Sequence, residues 1–183
     1  MKYLDTRIFV LPLLFIVLLA GCDSTDPDPE GVGEEELITR LAVTLSANGQ
    51  SVTYEANDPD GDGTNLQIET MVLQSGTTYS GSIAVFDDVN GEDVGEEIAD
   101  EDDEHQFFFI PGGPAAARLS VVATDQDENG LPVGLSFQLT VAGGGSGTAS
   151  LQIILSHFDD APKDGVNRSD ETDIDVTFPV TIQ

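Results

Sequence analysis

From Leu37 onward, apolar and polar residues alternate with a period of two. That period puts alternate side chains on opposite faces of an extended chain, so one face can be buried and the other wetted. The runs fall at 41–45, 52–56, 66–69, 79–86, 106–110, 118–124, 135–141, 151–158 and 174–182, most of them rich in Val, Ile, Thr and Phe. These are the residues that suit a pleated, half-buried surface. Turn formers separate the runs: Asn48-Gly49, Ser75-Gly76, Asn90-Gly91, Pro111-Gly112-Gly113-Pro114 and the Gly-rich 143–147. About nine short strands, each with one apolar face, predict an all-β, antiparallel, immunoglobulin-like sandwich. Pro179 inside the last run predicts an edge strand or a bulge there. The acidic stretch 92–106 carries Val94 and Ile98 four apart, which predicts one short helix.

The start of the chain has a different logic. Lys2 and Arg7 precede an apolar run from Ile8 to Ala20 that is too short to span a bilayer as a helix and reads as a signal-peptide core. It ends in Leu19-Ala20-Gly21-Cys22, which resembles the lipobox of bacterial lipoproteins. Small residues fit the peptidase cleft, and the Cys22 thiol is the nucleophile that takes the diacylglyceryl group. The expected organisation is a signal peptide over 1–21, a disordered acidic tether over 22–36, and a β-sandwich over 37–183. Cys22 then anchors the protein through lipid in the bacterial cell envelope, with more than one acyl chain for stable attachment. The outer membrane is the expected site, on its periplasmic or its surface-exposed face. The acids following Cys22 suit either inner-membrane retention or surface export.

Charge narrows the partners. The chain holds 34 Asp+Glu against 6 Lys+Arg, a formal net charge of −28. Beyond Cys22 the only cations are Arg40, Arg118, Lys163 and Arg168, too few to build a phosphate-binding patch, so no nucleic-acid partner is expected. Such a charge repels itself unless salt screens it, which points to a halophilic setting. A single Cys excludes a disulfide framework within the chain. The sequence has no G-x-S-x-G elbow, and no free thiol remains after lipidation, so nothing supports nucleophilic catalysis and no enzyme is expected.

Two patterns bear on cations. Asp58, Asp60, Asp62, Gly63 and Glu69 fit the spacing D-x-D-x-D-G-x5-E, which supplies oxygen ligands for calcium around a sharp Gly turn. The flanks read as strands rather than helices, so a solvated acidic hairpin tip is the competing account. Asp125, Asp127, Asn129 and Gly130 repeat the first half of that pattern, with Ser136 where a Glu is wanted. The second pattern is His105 and His157, the only imidazoles. His105 opens an apolar strand and His157 closes another, just before Asp159 and Asp160. If those strand ends meet, two imidazoles and a carboxylate can ligate a transition metal. Otherwise each histidine is satisfied by a neighbouring acid.

Several segments carry a wider resemblance: Glu34-Glu35-Glu36-Leu37-Ile38-Thr39, the 58–63 turn, Glu104-His105-Gln106 before an aromatic strand, the stretch from Asn129 to Phe137, and the stretch from Glu171 to Pro179. Together they resemble a family of uncharacterised Bacteroidetes-type envelope lipoproteins, sometimes labelled "type 1 periplasmic binding fold superfamily protein". The resemblance implies an envelope location and a binding role. It brings no catalytic residues. The expected function is therefore a lipid-anchored, non-enzymatic binding or accessory module for a metal ion or a nutrient passed to an outer-membrane transporter. A structural or adhesive surface lipoprotein is the alternative.

Overall fold

A computed structural model describes residues 37–59, 61, 63–158 and 162–183. The signal segment, Cys22 and the tether lie outside the described residues, as do Asp60, Asp62, Asp159, Asp160 and Ala161. Every strand among the described residues belongs to one compact unit within Gly31–Gln183. No helix among the described residues is long and apolar enough to cross a membrane.

The domain is an all-β sandwich of ten strands in two packed sheets. Strands β1 (Arg40–Ala47) and β2 (Gln50–Asn57) form a hairpin. Its two-residue turn places Asn48 and Gly49 at φ 53° and 78°, the left-handed pair that matches strand twist. Next come β3 (Gln67–Ile68), β4 (Met71–Leu73), β5 (Thr78–Phe86), β6 (His105–Gly112), β7 (Leu119–Ala123), β8 (Ser136–Val141), β9 (Gly147–His157) and β10 (Glu171–Ile182). One sheet runs in the order β3-β2-β1-β5-β8-β7 and the other β4-β10-β9-β6. All pairings are antiparallel except β4 with β10.

Alternation delivers the core as the period requires. Leu41, Val43 and Leu45 of β1 join Leu151, Ile153 and Leu155 of β9 and the Val176, Phe178, Val180 series of β10 in one apolar cluster. The short helix α1 (Val94–Asp100) buries Val94 and Ile98 against it. The Asp93 carboxylate caps its start by accepting from the Gly95 N–H at 3.1 Å, and Glu96 and Glu97 sit favourably in the first turn.

The expected set of about nine strands is present with one addition. There is a tenth strand, β4, because three residues are too few to show a period. Pro179 lies where β10 is locally an edge, as expected: it pairs with β9 alone, although β10 is internal farther along. It is tolerated because β4 covers only Val180–Ile182, so Pro179 sits just beyond the end of that pairing.

Candidate metal centre

Three adjacent strands of the smaller sheet converge at one end of the sandwich. His105 is the first residue of β6 and His157 the last of β9, and the two are direct cross-strand partners. They share the face of Phe107 and Leu155, which pair next along the same strands, so both imidazoles cap the apolar core. Their rings stack with centroids 4.4 Å apart and planes 22° apart.

The third member comes from β10. Its inward residues run Ile182, Val180, Phe178, Val176 and Ile174, and strict alternation would place Thr172 inside and Asp173 outside. The β9–β10 register shifts between Thr172 and Ile174, a bulge centred on Asp173. The extra residue re-aims the carboxylate inward, the usual effect of a bulge beside a functional centre. The Asp173 side chain is only 1% exposed. Its Oδ2 lies 3.9 Å from His105 Nε2 and its Oδ1 3.9 Å from His157 Nδ1.

One ligand atom from each of the three residues falls within 4.8 Å of the others. Tetrahedral bonds of 2.0–2.2 Å put ligand atoms about 3.4 Å apart, so an ion would draw in each 3.9 Å contact by roughly half an ångström and a 4.8 Å separation by more than about one. His105 is fixed by its Nδ1, which donates to the Glu101 carbonyl at 3.2 Å. A carbonyl has no proton to give, so a neutral His105 carries its lone pair on Nε2, toward Asp173. His157 has more freedom at its strand end, and its Nε2 faces Glu104 Oε2 at 3.9 Å. Stacked rings do not yet aim at one point, so binding requires His157 to tilt. The donor set, two imidazoles and one carboxylate, suits Zn²⁺ and neighbouring first-row ions.

The backbone under this cluster is clamped. Lys163 Nζ donates to the carbonyls of Asp102 at 2.5 Å and His105 at 3.1 Å, and pairs with Asp127 Oδ2 at 2.9 Å. Both partners of that ion pair are buried. Burial pushes the Asp127 carboxyl up, but the Lys163 ammonium and the N–H groups of Leu131 and Asn129 outweigh it and hold the group below the ordinary carboxylate range.

In the Asp125–Gly130 half-pattern the carboxylates serve the chain itself. Asp125 spends its oxygens on the N–H groups of Gly134 and Ser136, and Asp127 on Asn129, Leu131 and Lys163. Of the calcium pattern, Asp60 and Asp62 lie outside the described residues. Asp58 Oδ2 accepts from the Gly63 N–H at 2.7 Å, and Glu69 Oε2 accepts from the Glu55 N–H at 2.9 Å across β2.

The condition for a shared site, that the strand ends bearing His105 and His157 meet, is fulfilled. The carboxylate beside them is Asp173, which sequence reasoning missed; Asp159 and Asp160 lie outside the described residues. Asp173 stands in phase with the outward polar positions of β10, so its sequence pattern did not mark the bulge. No protein-family model and no curated protein sequence matches this chain.

Proposed function

We propose that the protein is a lipid-anchored, non-enzymatic module of the bacterial envelope that holds a transition-metal ion at His105, His157 and Asp173. One observation carries the reading: two imidazoles and a carboxylate from three strands meet, buried, with ligand atoms within 4.8 Å. Charged and polar groups gathered at the end of an apolar core cost stability unless they serve each other or an ion. The lipobox at Cys22 and the envelope-lipoprotein resemblance support the location, and delivery to an outer-membrane transporter suits an ion-holding module there.

The test is a Co²⁺ titration of the full-length chain purified in detergent. One equivalent is expected, with the visible bands of low-coordinate cobalt, displaced by Zn²⁺. Asp173→Asn and His157→Gln should each weaken binding by about 10-fold or more while circular dichroism stays that of the parent. A wild-type chain without cobalt bands, or variants that titrate like it, would overturn the reading.

A further inference from the structure

Beside the cluster, the two sheets part around a cavity of about 160 Å³. Its walls come from the start of β1, the end of β2 with the turn after it, and the start of β10. Ile38, Leu41, Leu66 and Val176 make it apolar, and three carboxylates break that lining: Asp58 and Asp173, both buried, and the exposed Asp175. Asp58 is only 8% exposed. Its Oδ2 takes the Gly63 N–H, but its Oδ1 is buried and accepts no hydrogen bond from the described residues. A buried carboxylate oxygen without a donor carries a desolvation cost with nothing to offset it, and so calls for a partner.

No protein cation among the described residues answers it. Arg40 is the one cation on the cavity wall, and it is committed elsewhere. Its guanidinium makes a two-point contact with Asp88 at 2.7 and 3.0 Å, approaches Glu55 at 3.6 Å, and lies 3.9 Å over the Phe86 ring. The cavity is thus an anionic recess with apolar walls, which concentrates the field of its carboxylates and draws in small cations. Its volume has room for a hydrated metal ion. Asp173 belongs to both the cavity wall and the His–His–Asp cluster.

We infer that this cavity is a second cation station, with Asp58 Oδ1 as its anionic contact, through which a hydrated divalent metal ion reaches the imidazoles. The inference rests on the proposed metal centre and adds to it the path and the residue that controls loading. Asp58 captures the ion with part of its water shell. Asp173 then takes it over, and the imidazoles replace the remaining water. Asp58 is a positioning residue on this account and holds no place in the final ligand set.

Stopped-flow mixing of the full-length chain with Co²⁺ reads the loading step directly. Asp58→Asn keeps an acceptor for the Gly63 N–H but removes the charge, and should slow association about 10-fold. It should also flatten the dependence of that rate on KCl. One ion should still bind per chain, with unchanged cobalt bands. Ala56→Val, which narrows the cavity without altering charge, should slow loading as well. Asp175→Asn removes an exposed acid from the same wall and should change the rate less than two-fold. If wild type binds one ion and both Asp58→Asn and Ala56→Val load at its rate, this inference alone fails. If Asp58→Asn and Asp175→Asn slow loading equally, the effect is general charge and the station is likewise refuted. A wild type that binds no cobalt removes the metal centre itself and this inference with it.

Discussion

Lys163 is one of only six cations among 34 acids, and the fold buries it. A buried ammonium is tolerated when its donors are used, and Lys163 spends them on Asp127 and on the carbonyls of Asp102 and His105. Lys163→Met should therefore destabilise the domain by about 3–5 kcal/mol in urea titration, because Asp127 is left buried and unpaired. Lys163→Met with Asp127→Leu should be less unstable than Lys163→Met alone; equal or greater loss would show that the pair is not the seat of the effect. The same carboxyl fixes a pH dependence. Asp127 sits below its ordinary value in the folded state, as do Asp87, Asp88 and Asp164. A lowered carboxyl contributes stability that is complete above its unfolded pKa, about 3.9, and is lost as pH falls through the folded value. Stability should hold from pH 7 to about pH 5 and fall below that, with a shallower fall in Asp127→Asn.

At the level of strands, the pairing of β5 with β8 sets Gly81 opposite Phe137. Gly81 has no side chain, and the Phe137 ring lies over it: a Cβ there would come within 2.2 Å of the ring. Phe137 is buried and meets Phe109 of the other sheet at 4.7 Å, so the glycine underwrites a contact between the two layers. Gly81→Ala should cost about 1–3 kcal/mol and lower Tm, and Phe137→Leu in the same chain should recover part of it. A Gly81→Ala protein as stable as the parent would mean that the ring has room to move. The role of this glycine was not legible in the sequence, since a Gly inside a run reads only as weaker alternation. Long strands and the Asn48-Gly49 turn were legible, because each states its period or its dihedral need locally. β4 was not, since it owes its existence to the β10 edge it pairs with. The site was half legible. Two histidines at strand ends could be flagged, but their register is set by pairing across some fifty residues. Asp173 escaped because its bulge inverts the very alternation by which inward residues are recognised.

Over the whole molecule, charge outweighs every other feature of the composition. A net −28 on 183 residues is spread over strand faces, loops and α1, where Asp100 and Glu101 end a helix that would favour cations. Three of the four cations beyond Cys22 are committed as local staples: Arg40 to Asp88 and Glu55, Arg118 to the Ala142 carbonyl and Ser75, and Lys163 to Asp127. They pin particular loops and leave the long-range repulsion almost untouched. That repulsion acts between exposed groups more than a few ångströms apart, the regime that salt screens, with a Debye length of about 10 Å at 0.1 M and about 3 Å at 1 M. Screening relaxes the folded state more than the expanded unfolded chain, whose charges are farther apart. Raising KCl from about 0.05 to about 1 M should therefore raise Tm, by about 2–4 °C for each kcal/mol of repulsion relieved. The staples themselves weaken in salt, which opposes the trend, but exposed pairs are worth at most about 1 kcal/mol each. Divalent binding is separable from screening by design. Ca²⁺ at matched ionic strength should add nothing if the acids act only as a diffuse field. A larger rise with Ca²⁺ than with KCl, abolished by Asp60→Asn with Asp62→Asn, would place an ion in the 58–69 turn, stabilising it by about 2.7 kcal/mol at a hundred times its Kd. A Tm that stays flat or falls between low and molar KCl would rule out self-repulsion as the main burden on the folded state and, with it, the halophilic setting.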